Sequence, residues 1–437
     1  MQKIFFKTFG CRTNIYDTQV MISQILSANQ SANKSANLSQ STADFEISAN
    51  ENDADIIVIN SCTVTNNADK SLKEYISHIR KQNKKIFFTG CALDSVGRTL
   101  FDKGAIFGAF GHSKKAQIHS LLKSQNPFFV ENDLKAVDSV ALQTLTGRTR
   151  AFIKVQEGCD FKCSYCIIPQ VRGKARSLNR DLILEQIRTL TNQGVSEFVL
   201  SGTNLGSYGN DLPKDSRDTL PKLISDISDI KGVKRIRLGS LEPSQINSAF
   251  LEILEMPILE RHLHIAIQHT DDAMLRLMNR ANRFEKDLRL FEILANKGFA
   301  LGSDFIVAHP NESDKVFESA LKKLESMPLT HIHCFIFSPR SGTKSALMQN
   351  DTPKAKAKER LKRVVDLIQD KNFAFRFAKA KTRESLNILV ESKKGDYFYG
   401  FDEYFNKIAI KSSANLSHSW AKINDYQAKE ELNYAEI

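Results

Sequence analysis

The chain has 437 residues, 41% of them hydrophobic and 25% charged, with a formal net charge of +11. That length exceeds one ordinary hydrophobic core, so two or three domains are expected, and the positive excess points to a polyanionic partner, nucleic acid first. No apolar run approaches the roughly 18 residues of a membrane span, and MQKIFFKTFGCRTN lacks the apolar length of a signal peptide. The reading is a cytoplasmic protein with no membrane partner, where thiols stay reduced and seven cysteines serve as ligands or catalytic groups rather than bridges.

The first part runs to residue 147. Strand-like runs Ile4–Phe9, Ile56–Ile59, Ile86–Thr89 and Ile106–Phe110 alternate with helix-like stretches Thr18–Leu26, Asp69–Lys81 and Lys114–Lys123. This alternation predicts βα units around a mostly parallel sheet. Residues 27–50, where Ser-Ala-Asn recurs, read as a flexible low-complexity insertion, since so short a repeat cannot build a supersecondary unit. In the second part, 148–375, the alternation occurs six times. Its strands are Ala151–Gln156, Glu197–Ser201, Arg235–Leu238, His262–Gln268, Leu301–Val307 and His331–Phe337. Six repeats are fewer than the eight of a closed barrel, which predicts an open, partial (β/α)6 barrel working at its strands' carboxyl ends. Near its end, residues 353–383 hold eleven Lys or Arg against three acids. A helix is expected there with Thr352 as N-cap, Pro353 at the first helical position, a stripe of Leu361, Val364, Val365 and Ile368, and a basic outer face. The tail, 376–437, offers Leu386–Glu391, Tyr397–Phe401, Lys407–Lys411 and Ser419–Ile423 with no helix between them, the pattern of a small all-β barrel.

The chemistry lies in the cysteines. Cys159, Cys163 and Cys166 follow the first strand of the second part as CDFKCSYC. Three thiolates within eight residues can hold one face of a 4Fe–4S cube and leave one iron open. That iron can chelate the amino and carboxylate groups of S-adenosylmethionine. A zinc knuckle would need a second ligand pair at a distance, which the sequence does not offer. Cys11, Cys62 and Cys91 each stand two or three residues past a strand of the first part. Carboxyl ends of neighbouring parallel strands converge on one edge, so these three, distant in sequence, are expected to meet there as a second three-thiolate site. Cys334, inside a strand, reads as a small core residue. Gly202, Gly206 and Gly209 match no phosphate loop, and His262, His264 and His269 read as packed or substrate-facing. Arg172, Lys174 and Arg176 read as phosphate contacts or plain surface charge.

With these residues in hand, the sequence resembles the radical S-adenosylmethionine methylthiotransferases, through FKTFGCRTNIYDT, NSCTVTNNADKS, FFTGCA, VQEGCDFKCSYCIIPQVRGKARS and HLHIAIQ. The resemblance runs from residue 3 to about 345 and more weakly over the tail. It implies an N-terminal cluster domain (1–147), a radical SAM core (148–375) and a TRAM-like RNA-binding barrel (376–437). It implies two 4Fe–4S clusters with S-adenosylmethionine. Cys11, Cys62 and Cys91 would hold the auxiliary, sulfur-relaying cluster, and Cys159, Cys163 and Cys166 the catalytic one. One S-adenosylmethionine would methylate sulfur, and a second would be cleaved reductively to activate a C–H bond. An electron donor and a sulfur source are implied partners. CTVTNNADKS resembles the subgroup that methylthiolates C2 of N6-threonylcarbamoyladenosine in tRNA, beside the anticodon. A prenylated tRNA adenosine or a ribosomal protein aspartate is the alternative within the family, and a non-catalytic Fe–S or zinc RNA-binding protein the alternative outside it. The chain departs from the family at HIAIQHTD, where HIPIQSGS is usual, and at AHPNES, where GFPGET is usual.

Overall fold

The computed structural model describes residues 1–35, 44–63, 66–213 and 218–437. Its first sheet is all parallel: β1 Gln2–Phe9, β2 Phe45–Ile47, β3 Ile56–Ser61, β4 Lys85–Thr89, β5 Gly108–Phe110 and β6 Phe128–Val130, in the order β2-β1-β3-β4-β5-β6. All six residues of β3 are buried, as a central parallel strand covered by helices on both faces must be. Ile57 and Ile59 pack on one side with Leu72, Ile76 and Ile79 of the helix Asn66–Arg80. Val58 packs on the other with Met21 and Ile25 of the helix Arg12–Ser35.

That first helix corrects the flexible insertion expected over 27–50 at its two ends. It continues through Ser35, and Phe45–Ile47 pairs with β1 as an edge strand. Alanine sustains a helix well and serine and asparagine do not end one by themselves, so the first two Ser-Ala-Asn triplets, at 27–29 and 31–33, extend the preceding turns. Residues 36–43 of that stretch, and Val64 and Thr65 of CTVTNNADKS, lie outside the described residues.

All six repeats of the second part are present. β7 (Ala151–Glu157), β9 (Glu197–Gly202) and β10 (Arg235–Leu238) pair in parallel, with the two-residue β8 (Arg176–Ser177) antiparallel at the edge of β7. β11 (His262–His264), β12 (Ala300–Val307) and β13 (His331–Ile336) form a second parallel group. Parallel bridges Ile236↔Leu259 and Leu241↔Ile265 join the two groups into one open, curved wall. Alternate residues such as Ile153, Leu200, Ile236 and Leu263 pack outward against the surrounding helices in the main core. Their neighbours Lys154, Arg237 and His264 therefore face the inner side.

The basic helix starts at Lys354, with Pro353 as a non-helical N-cap, and runs 28 residues to Lys381. Pro353 keeps ψ near 144° and so stays outside the helix instead of opening it. Val364 and Ile368 are buried as the stripe requires. Two of the helix's arginines turn inward instead of outward. Arg360 pairs with Glu312 and Asp314, and Arg376 donates to the carbonyls of Lys429 and Glu430.

The last part is a curled six-stranded sheet: β14 Leu386–Lys394, β15 Tyr397–Phe401, β16 Lys407–Lys411, β17 Trp420–Ile423, β18 Gln427–Ala428 and β19 Asn433–Glu436. Its order is β17-β14-β15-β16-β19-β18, antiparallel except for β16 with β19. The two last strands are absent from the sequence reading because each is too short to show alternation.

A buried ion network docks this sheet on the second part. Glu197 accepts from Arg235 at 2.6 Å, Arg237 at 2.7 Å and Arg150 at 3.2 Å. Arg235 also donates to the carbonyls of Asn387 and Phe401, and Arg237 to that of Asp402. Burial pushes the Glu197 carboxyl up, but Arg237, Arg235 and Arg150 outweigh it and leave it at about 2. A carboxyl depressed below its ordinary value of about 4.3 stabilises the fold above that pH and loses the contribution as pH falls toward 2. Glu197→Gln is expected to destabilise the protein by about 3–5 kcal/mol at neutral pH, because Arg235 loses its carboxylate. Below pH 4.3 the deficit should shrink. Thermal melts of both proteins from pH 7 to 3.5 measure it, and a constant offset across that range would refute the assignment.

The departures at AHPNES have a conformational consequence. Ala308 (φ 57°) and Asn311 (φ 69°) stand in the left-handed region, where a non-glycine residue costs about 1–2 kcal/mol. The turn is held by Glu312, which accepts from the Ala308 amide, lies 3.2 Å from His269 Nε2 and pairs with Arg360. His269 belongs to the other departure, HIAIQHTD, so the two unusual segments meet in one buried contact.

Candidate active site

The carboxyl ends of β1, β3 and β4 stand level, with Phe9 opposite Ser61 and Asn60 opposite Thr89. Cys11, Cys62 and Cys91 follow directly, so the expected convergence on one sheet edge is present. Gly10 makes the turn possible: it has φ 125°, and a Cβ there would lie 2.4 Å from Cys62 Cβ. Cys62 and Cys91 are buried and Cys11 is exposed. Asn14, in the first turn after Cys11, places Oδ1 3.6 Å from Cys11 Sγ and 4.0 Å from Cys91 Sγ.

Cys159, Cys163 and Cys166 occupy the loop at the carboxyl end of β7. Gly158 (φ 74°) turns the chain into it, where a Cβ would strike the Lys174 carbonyl at 1.9 Å. Asn204, in the loop after β9, donates to Cys159 Sγ at 3.6 Å, and Arg280 Nη1 stands 3.8 Å from Cys163 Sγ. Arg280 is anchored by Glu242 at 2.6 Å. Sequence reasoning missed Asn14, Asn204, Glu242 and Arg280. Asn14 alone carried a sequence signal, standing three residues after Cys11, one helical turn away.

The two triads are neighbours. The short helix Ile168–Arg172 begins two residues past Cys166, and Ile167 and Val171 pack against Cys91. Arg172 Nε donates to Cys91 Sγ at 3.0 Å and Nη2 to Asn14 Oδ1 at 3.0 Å. Its other nitrogen pairs with Asp17 and Glu157, which also hold Lys154 at 2.8 and 3.1 Å. This corrects the phosphate-contact reading of Arg172 and Arg176. Both are buried, and Arg176 donates to the carbonyls of Ala136, Arg172 and Lys174. Buried acids claim Arg172, and backbone carbonyls claim Arg176, before solvent can.

The donor sets fit iron–sulfur clusters. Burial pushes the Cys91 and Cys166 thiols up to about 12 and raises Cys159 as well. Such thiols ionise on a metal, and Arg172 and Arg280 supply positive charge beside them. Thiolates on one tetrahedral zinc stand about 3.8 Å apart. Among the described residues one group has all its ligand atoms within 4.8 Å, and it is His264, Asp304 and His333. Three thiolates at each site are the donor set that one face of a 4Fe–4S cube takes. Cys334 packs against the main core as expected. His264 and His269 form buried pairs with Asp304 and Glu312, and His262 stacks on Phe405.

Comparison with known proteins agrees with this geometry. Residues 153–324 match the Radical SAM superfamily and residues 3–110 match Uncharacterized protein family UPF0004. A Helicobacter pylori protein named "Putative methylthiotransferase" is 48% identical, with all of both chains covered. The tRNA-2-methylthio-N(6)-dimethylallyladenosine synthase of Anaplasma phagocytophilum is 29% identical, covering 94% of this chain and 92% of its own. The threonylcarbamoyladenosine tRNA methylthiotransferase MtaB of Bacillus subtilis is 30% identical, covering 98% and 94%. Among solved structures, the radical S-adenosylmethionine methyltransferase TsrM from Kitasatospora setae shares the fold, with a TM-score of 0.57 at 12% identity over 79% of this chain and 77% of that one. Family membership makes the protein an enzyme that uses an iron–sulfur cluster and S-adenosylmethionine. Among the described residues no helix is long and apolar enough to cross a membrane. On these matches, full-length and at the level of both cysteine regions, the chain belongs to the radical S-adenosylmethionine methylthiotransferase family.

Proposed function

We propose that the protein installs a methylthio group at C2 of N6-threonylcarbamoyladenosine in tRNA. It would do so with two 4Fe–4S clusters, one on Cys159, Cys163 and Cys166 and an auxiliary one on Cys11, Cys62 and Cys91. The observation that carries this reading is the adjacency of the two triads. The helix leaving Cys166 puts Arg172 on Cys91, as a reaction requires when one site activates a C–H bond and the other supplies sulfur. When bound, the first cluster would supply the electron that cleaves S-adenosylmethionine reductively, and the organic chemistry is the cofactor's. The protein's part is positional. Asn204 and Arg280 hold Cys159 and Cys163 in orientation, Glu242 fixes Arg280, and the buried Asp17–Lys154–Glu157–Arg172 network locks the two cluster regions together. In this reading residues 1–147 form the auxiliary-cluster domain, 148–375 the radical core and 376–437 an RNA-gripping module, with an electron donor and a sulfur source as further partners. The match to the B. subtilis enzyme over 98% of the chain supports the tRNA substrate.

Deleting the gene in its host and digesting total tRNA tests this. The 2-methylthio derivative of threonylcarbamoyladenosine should vanish while its unthiolated precursor accumulates. Loss of a methylthiolated prenyladenosine instead, or an unchanged tRNA profile beside an unmodified ribosomal protein, would overturn the substrate.

A further inference from the structure

The inner side of the partial barrel holds a cavity of about 300 Å³ whose walls come from all three parts of the chain. Phe152, Val199 and Arg237 are register neighbours on β7, β9 and β10, so their side chains stand side by side on that inner face. Arg12, the residue after Cys11, reaches in from the first part, and Phe405 closes the cavity from the last. Phe405 is fixed between the rings of His262 and Phe401, at 5.2 and 5.1 Å.

The cavity's charge is unbalanced. Four arginines line it against two glutamates, an excess of two positive charges. Arg150 is held by Glu391 and Glu197, and Arg237 by Glu197 and Glu260. Arg12 and Arg148 have no carboxylate partner among the described residues. Arg12 donates to the Leu238 carbonyl at a long 3.5 Å, and Arg148 lies 5.5 Å over the Phe152 ring. The excess therefore sits on these two guanidinium groups, in a space where Phe152, Val199 and Phe405 supply the apolar wall and Thr149, His262 and His418 line the rest. Such a space takes a short chain with an apolar body and an anionic end.

We propose that Arg12 and Arg148 bind the carboxylate of the amino-acid substituent on N6 of the target adenosine, and so select that nucleoside over a prenylated one. The proposal rests on the tRNA reading above and adds the residues that set its specificity. A threonylcarbamoyl group ends in a carboxylate that a planar guanidinium can grip bidentately. A prenyl group would leave Arg12 confined and unpaired. Sites built to pair a polar group reject analogues lacking it far more strongly than apolar pockets reject a size change. A backbone phosphate offers similar chemistry, so the test must separate the two sources.

The reconstituted full-length enzyme is titrated anaerobically with four anticodon stem-loops, carrying threonylcarbamoyladenosine, its methyl ester, prenyladenosine or plain adenosine. The wild type should bind the acid about 10- to 100-fold more tightly than the ester, the range for a charge-assisted hydrogen bond. Arg12→Gln and Arg148→Gln should each collapse that ratio toward one while leaving the affinity for plain adenosine nearly unchanged. Because Arg12 adjoins a cysteine of the auxiliary triad, its variant is compared at equal iron content, and Arg148→Gln decides if Arg12→Gln does not load. Equal weakening of all four RNAs would assign the arginines to backbone phosphate and overturn the proposal, as would a wild type indifferent to the ester. Acid-selective binding with no methylthio product on the acid RNA would overturn the enzyme's assigned substrate and leave the pocket standing.

Discussion

Replacing Cys159, Cys163 and Cys166 together by Ala is expected to lower the iron content of the anaerobically reconstituted protein from about eight to about four per chain, as two independent four-iron clusters require. Cleavage of S-adenosylmethionine to 5′-deoxyadenosine and methionine should be lost with it, and Cys163→Ala alone should abolish that cleavage. The remaining four irons are expected because Cys11, Cys62 and Cys91 belong to a different sheet with its own core, which meets the second part through the Arg172 contact and the packing of Cys91 on Ile167 and Val171. Iron and sulfide analysis beside single-turnover product analysis measures both effects. About four irons falling to none, or zinc in their place, would remove the auxiliary cluster and with it the sulfur-insertion reading.

Cys62→Ala is the complementary experiment. Cleavage of S-adenosylmethionine should persist while methylthio product on tRNA falls to background. Cys62 is fully enclosed, with Gly10 packed directly against its Cβ. Alanine keeps that Cβ, so the tight strand-to-loop turn survives and only the thiolate is lost. Iron should fall to about four with the radical cluster retained. Methylthio product from this variant would show that the auxiliary site has another role. A loss of cleavage as well would mean that the two triads cannot be loaded independently.

Arg172 shows where a correct residue type led to the wrong role. Its place beyond the cysteine loop, in the basic run VRGKAR, suggested a phosphate contact. The structure buries it against Asp17, Glu157, Asn14 and Cys91. A basic run seen in sequence carries no information about which acids the fold brings to it, and Asp17 lies 155 positions away. Likewise the tail's fourth-strand boundary was legible, but the two short closing strands were not.

The sequence by itself determined the alternation of strands and helices in the first two parts, the six repeats of the second and the places of six cysteines just past strand ends. Those features are local: strand periodicity, loop position and ligand spacing are fixed within a few residues. The tertiary structure decided what joins distant segments. It put Cys11, Cys62 and Cys91 side by side, set Arg172 against Cys91, paired His269 with Glu312 across the two unusual loops, and gathered Arg12, Arg148 and Phe405 around one cavity. Each of these depends on register and on the burial of charge, which are properties of the packed chain and are written in no single stretch of it.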